Sequence, residues 1–206
     1  GDQDDNELIA MEDGEQIEIN LDADSLLSQA ARNLPATLLA WHYRSRHEAL
    51  ISFSNAAFYE GRLHPLPARR IERPAPANGP LDSTDEQAVI QGADTLLDSP
   101  ISFLKMRDGV YLSRSNVAEA RYIANLVREL LQRETGLSLG IVAFSEAQQG
   151  EIEQALENLA ASDPAFATRL EREYVREDAG QFNGLFVKNL ENVQGDARDV
   201  IILSIC

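Results

Sequence analysis

The chain has 206 residues but only one cysteine, Cys206, and two lysines. A lone cysteine builds neither a disulfide framework nor a Cys/His zinc site, and no His/Asp metal cluster stands out. No metal site is expected from these residues alone. No run of about 18 apolar residues is present to span a bilayer, and no charged-then-apolar leader precedes the opening acids. The expectation is a cytoplasmic protein with no membrane partner. An excess of positive charge is also lacking. The formal net charge is −16, opposite in sign to the surface with which an isolated DNA-binding module neutralises phosphates. The Pro-Asp…Glu-x-Lys pattern of many nucleases is absent, and Lys188 stands without a partnered acid pair.

What is present is unevenly distributed. Ten Asp or Glu lie between Asp2 and Asp24, and the first basic residue is Arg32. Residues 1–23 therefore read as an acidic, flexible lead-in, with a weak alternation over 16–21 that suits a short edge strand. Between His42 and Arg73 the balance reverses, with six arginines against three acids. Arginine outnumbers lysine sixteen to two over the whole chain. It is the residue for planar phosphate contacts, although a salt-bridged surface uses it as well. At 44% hydrophobic, the chain can bury one good core, or a core plus a loosely attached arm.

Periodicity and punctuation suggest an α/β order. Asp24 can cap a helix running to about Asn33, stopped by Pro35, and Thr37–Trp41 reads as a short buried strand. Residues 47–59 read as a helix, and the Pro/Ala/Arg-rich stretch 65–80 as irregular. Ile101–Met106 and Val110–Leu112, divided by Asp108-Gly109, read as a hairpin or a strand with a tight turn. Asn116 with Glu119 forms a capping pair for an amphipathic helix to about Gln132 that buries Ala120, Ile123, Leu126, Val127 and Leu130. Leu139–Phe144 is then a buried strand, and Ser145 opens a helix to about Ala161. Residues 162–182 form a polar, helical insertion. Strands at 185–188 and 200–205 flank a loop. Open sheets of this kind bind ligands at the carboxyl ends of their strands.

One block carries chemistry at such an end: Trp41-His42-Tyr43-Arg44-Ser45-Arg46-His47-Glu48, then Leu50-Ile51-Ser52-Phe53-Ser54-Asn55, then Phe58-Tyr59-Glu60-Gly61-Arg62-Leu63. An aromatic ring beside an arginine can stack on a base or sugar while the guanidinium forks onto phosphate oxygens. Tyr43 and Arg44 fit that pair. The spaced block resembles the fourth motif of superfamily 1 nucleic-acid helicases, in the branch of the RNA-surveillance helicases and their large bacterial relatives. The resemblance implies a three-layer RecA-like (P-loop NTPase-type) domain, with a mostly parallel central sheet and helices on both faces. It also implies that Arg44 is catalytic, reaching from the second motor domain to a γ-phosphate held by the first as an arginine finger, an effect on the order of 10³-fold in rate. Arg46 and His47 would then face the bound strand.

Two further stretches match the same family in chain order. Leu139–Gln149 resembles its strand–helix element, in which Ser145 and Gln148 would contact the nucleic-acid backbone. The residues themselves leave a plain N-cap reading of Ser145 equally open. Residues 191–204, Glu-Asn-Val-Gln-Gly-Asp-Ala-Arg-Asp-Val-Ile-Ile-Leu-Ser, resemble the fifth motif. Gln194, Gly195 and Asp196 would lie at the nucleotide and Asn192 at the strand. A glycine after a glutamine lets main chain approach a phosphate or sugar closely. The family's ribose-contacting glutamate falls on Ala197. Either Asp196 substitutes from the next position, or ribose selectivity is relaxed, or the step is impaired.

The resemblance covers residues 24–206. It lacks the Gly-Lys-Ser/Thr phosphate loop, the acidic Mg²⁺ partner and the sixth motif. The chain accordingly reads as the C-terminal RecA-like domain of a longer ATP-dependent helicase, truncated before the sixth motif. ATP and Mg²⁺ would belong to the full-length parent, with neither held by this piece alone, which should be inactive by itself. Its partners would be the first RecA-like domain of the same chain and single-stranded DNA or RNA. The rival reading is a non-catalytic interaction or regulatory domain that keeps a RecA-like fold.

Overall fold

The computed structural model describes residues 7–12, 15–20, 26–42, 45, 47–65 and 79–205. The chain divides into two compact units, Gly1–Arg46 with Phe53–Leu66, and His47–Ser52 with Pro67–Cys206.

In the first unit, β1 (Glu7–Glu12) and β2 (Glu15–Asn20) pair antiparallel from Glu7↔Asn20 to Glu12↔Glu15. A hairpin thus occupies much of the stretch that composition marks as a lead-in. Only Asp13-Gly14 separates the two strands, the dipeptide that two-residue hairpin connections favour. The expected cap Asp24 lies outside the described residues. Helix α1 (Leu26–Asn33) follows and leaves Leu26 and Leu27 exposed. The buried strand expected over 37–41 shrinks to β3 (Trp41–His42), because Leu39 and Trp41 face solvent and only two residues find a strand partner. Helix α2 (Ala49–Phe58) is divided between the two units. Strand β4 (His64–Pro65) lies parallel to β3.

The second unit holds the main core. Helix α3 (Glu86–Asp98) is capped by Asp85, whose carboxylate accepts the Gln87 N–H at 2.9 Å. Helix α4 (Val117–Gln132) starts at the expected cap, with Asn116 Oδ1 accepting the Glu119 N–H at 3.2 Å. Such caps each contribute about 1 kcal/mol. The expected apolar stripe of α4, Ala120, Ile123, Leu126, Val127 and Leu130, is buried. Gly92 lets α3 and α4 approach, since a Cβ there would strike the Tyr122 hydroxyl, which donates to the Ala88 carbonyl at 3.0 Å. Burial pushes the Tyr122 phenol up to about 12.

Strand β5 (Leu139–Ala143) is followed by α5 (Glu146–Ser162) and α6 (Pro164–Tyr174). Helix α6 buries Phe166 and Leu170 in the same core. It ends earlier than the polar composition of 162–182 suggests. There β6 (Glu177–Asp178) and β7 (Gln181–Phe182) form a hairpin across Ala179 and Gly180, both at positive φ. Strand β8 (Phe186–Asn189), a 3₁₀ turn at Leu190–Asn192 and β9 (Val200–Ser204) complete the element order. The three strands form a parallel sheet in the order β8-β5-β9. This is the expected α/β, RecA-like type of fold. Leu139, Ile141 and Ala143 face the helical core, with Val200 and Ile202 packed beside them. On the other face Gly140 passes beneath the Phe186 ring, where a Cβ would collide.

The hairpin expected from 101–112 does not form. The chain instead pairs with residues far upstream: Leu81 N–H donates to the Lys105 carbonyl (2.7 Å) and Arg107 N–H to the Leu81 carbonyl (2.6 Å). Asp108, expected in the tight turn, accepts the main-chain N–H of buried Ser83 at 3.1 Å, and its other carboxylate oxygen takes the Ser83 hydroxyl. Mainly through the hydroxyl bond, the Asp108 carboxyl is held below its ordinary value. A two-residue turn appears instead at Ser113-Arg114, both at positive φ, closed by reciprocal main-chain bonds between Leu112 and Ser115 of 2.9 and 3.0 Å.

Candidate functional site

In the first sequence block, Tyr43, Arg44 and Arg46 lie outside the described residues. Their neighbours are held by short local bonds. His42 Nε2 faces both the Ser45 hydroxyl (2.8 Å) and the Ser45 N–H (3.2 Å). The end of α2 is turned by Glu60 and Gly61, both at positive φ, and the Gly61 N–H returns to the Asn55 carbonyl at 2.9 Å. The Asn55 carboxamide then clamps Leu63, donating to its carbonyl (3.0 Å) and accepting its N–H (2.9 Å). Leu63, the one buried large apolar residue of the block among those described, leads into β4. The Asn…Gly-x-Leu spacing is thus a strand–helix–strand connection written in sequence. Half-buried His47 precedes α2, its carbonyl accepting the Leu50 N–H at 3.3 Å.

The second stretch departs from expectation. Ser145 is the N-cap of α5: its hydroxyl accepts the Gln148 N–H at 3.1 Å and donates to the Arg114 carbonyl at 2.6 Å. Gln148 is 0% exposed. Its Oε1 accepts the Asn116 N–H at 2.6 Å, and its Nε2 donates to the Asn116 carbonyl (3.4 Å) and to Ser204 Oγ (3.0 Å). Ser204 passes its own proton to Glu119 Oε1 at 2.6 Å. Gln148, expected to contact a nucleic-acid strand, thus has its carboxamide buried and bonded at both ends within the fold.

The third stretch links β8 to β9. Asn189 accepts the Asn192 N–H at 3.1 Å, leaving the Asn192 residue exposed at the rim. Val193–Asp196 is a turn closed by the Asp196 N–H to the Val193 carbonyl at 3.1 Å, with Gly195 at φ +86. Gln194 and Gly195 are exposed, and no atom lies within 4 Å of where a Gly195 Cβ would stand. Main chain here is open to approach by another molecule. Asp196 is not free, since its carboxylate holds Lys188 Nζ at 2.7 Å. That ion pair, across eight residues, supplies the acid that Lys188 lacks in sequence. It also engages the group expected to replace the family's glutamate at Ala197.

The Asp199–Ser204 run has structural duties that the motif pattern alone does not disclose. The Asp199 carboxylate accepts the Ser138 N–H (3.0 Å) and hydroxyl (2.9 Å), setting β9 beside β5 at their starts. Arg198 lies over the Phe182 and Phe186 rings, with its Cζ 5.2 and 4.9 Å from their centroids, and donates to the Gly184 carbonyl at 2.8 Å. Among the described residues no group of three His, Cys, Asp or Glu is placed to hold a metal ion. No helix among the described residues is long and apolar enough to cross a membrane.

The family profile of the AAA domain matches residues 23–206. The chain is 32% identical over 196 residues to a Mycoplasma genitalium protein named uncharacterized ATP-dependent helicase MG140, covering 94% of this chain and 15% of the relative. It is 31% identical over 170 residues to the homolog of that protein in Mycoplasma pneumoniae, covering 82% of this chain and 13% of the relative. The chain therefore spans only a small part of the curated relatives it matches. No solved structure matches it.

Proposed function

The chain belongs to the AAA domain family, and from that premise we propose that it is a helicase-type domain: the second RecA-like motor domain of a longer ATP-dependent nucleic-acid helicase or translocase of superfamily 1. The observation that carries the reading is the exposed Gln194-Gly195 turn between two strands of a parallel sheet, with Gly195 at positive φ and open on its outer side. Main chain so presented can lie against a phosphate or sugar. The names of the two relatives, both ATP-dependent helicases, support the same class.

In this reading Arg44 stabilises the charge that develops on a γ-phosphate held by the first motor domain, and Tyr43 stacks beside it. Gln194, Gly195 and Asp196 line the nucleotide side. Arg46, His47, Ser145 through its main chain, and Asn192 face single-stranded DNA or RNA. Nucleotide and Mg²⁺ are held by the partner domain, which carries the phosphate loop missing here.

The deciding experiment is ATP turnover by the full-length protein carrying Arg44→Ala. A loss on the order of 10³-fold is expected for an arginine finger. Turnover near that of the unaltered protein removes the assignment.

A second reading, a non-catalytic interaction domain on a motor fold, draws on one specific observation: Ala197 stands at the glutamate position and the neighbouring Asp196 carboxylate is engaged by Lys188. An intact phosphate-loop lysine and Mg²⁺ carboxylate elsewhere in the parent would favour the motor reading over it.

A further inference from the structure

We propose that Gln148 is a positioning residue, whose buried carboxamide holds the exposed Arg114 turn against the start of α5 so that the two form one rim of the strand-binding surface. The proposal rests on the reading of this chain as a nucleic-acid motor domain. It assigns Gln148 a role other than contact.

The Ser113-Arg114 turn places two non-glycine residues in the left-handed region, at φ 53 and 66. Each is a conformation that ordinary side chains adopt only when their surroundings hold them there. Beyond the Leu112–Ser115 bonds that close the turn itself, two connections fix it to the rest of the unit. The Arg114 carbonyl accepts the Ser145 hydroxyl, and Asn116, two residues on, exchanges both main-chain groups with the Gln148 carboxamide. The Nε2 of the same carboxamide reaches Ser204 at the end of β9, and Ser204 reaches Glu119 on α4. One side chain therefore registers three elements that sequence separates by 32 and 56 residues. A buried amide whose donors and acceptor are all engaged is directional, whereas an apolar side chain of the same size would fill the space and leave the turn free to shift. Arg114 is exposed and projects from this turn. It is the cation whose place Gln148 sets.

The test is a double-mutant cycle in the full-length protein, reading affinity for a fluorescent single-stranded oligonucleotide, with the melting temperature measured alongside. Gln148→Met is expected to weaken binding about 10-fold, but by no more than about twofold when Arg114 is already alanine, because coupled residues are not additive. Turnover at saturating oligonucleotide should change far less than the concentration required for half-saturation. Equal losses in the two backgrounds, or a folded Gln148→Met protein that binds like the unaltered one, overturn the proposal while leaving the domain reading intact. Should Gln148→Met fail to fold, Ser204→Ala, which removes one partner of Nε2, is expected to show the same dependence on Arg114 at about threefold. Its absence there is equally decisive. If the unaltered protein binds no single-stranded nucleic acid, the domain reading falls and this proposal falls with it.

Discussion

The strand–helix–strand block around α2 and the β8-β5-β9 sheet are held together at different ranges of the chain. In the first, the bonds that shape the diagnostic residues join neighbours: His42 to Ser45, three apart, and Asn55 to Leu63, eight apart. In the second, Ser138 meets Asp199 across 61 residues and Ser204 meets Glu119 across 85. The contrast extends to burial. Helix α2 has no buried residue, and Phe53 and Phe58 stand exposed, whereas all five residues of β5 are buried. A motif can thus be conspicuous in sequence because it is locally encoded, without being the better packed part of the molecule.

The sharpest way to break the contrast is to disturb the long-range region by one atom. Gly140→Ala places a methyl group against the Phe186 ring and Ile201. Overpacking of this kind costs about 1–3 kcal/mol. Thermal unfolding should show a lower melting temperature, and an unchanged one would mean that the ring moves aside at no cost.

A more confined effect, no larger in size, is expected in the local region. Asn55→Ala removes both bonds to Leu63, worth about 0.5–1.5 kcal/mol each. Hydrogen exchange should quicken at the Leu63 amide while the amides of β5 keep their protection. Faster exchange in β5 as well would refute the local character of the block.

The smallest effect concerns pH. Because the folded Asp108 carboxyl is held below its unfolded value, the Ser83–Asp108 connection contributes fully above about pH 4 and is lost as pH falls through the folded value. Asp108→Asn should therefore flatten the acid limb of the stability curve and leave its shape near neutrality alone. An acid limb with undiminished slope would show that other carboxylates govern it.

Legibility followed the same division. The caps at Asn116 and Ser145, the stripe on α4, the run of β5 and the positive-φ glycine at 195 could all be read because each depends on residues within one or two turns of chain. Helix α3 drew no expectation, since the side it buries is made of Ala88, Val89, Gly92, Ala93 and Thr95, small residues with little hydrophobic contrast. The 101–112 hairpin was expected for the opposite reason. Its pattern looked self-complementary, but Leu81, some twenty-five residues earlier, provided the partner. Gln148 was recognisable as a position of note, but its burial was not legible, because sequence does not say on which side of the surface a polar group ends.

Sequence by itself determined the α/β character, the starts of α4 and α5, the loop glycine and the family resemblance, all properties of residue type and short spacing. Tertiary structure alone decided that the Gln148 carboxamide turns inward, that Asp196 pairs with Lys188, and that Asp199 and Ser204 anchor the two ends of β9. Hydrogen bonds and ion pairs act over about 3 Å, and only folding brings groups from distant parts of the chain within that reach.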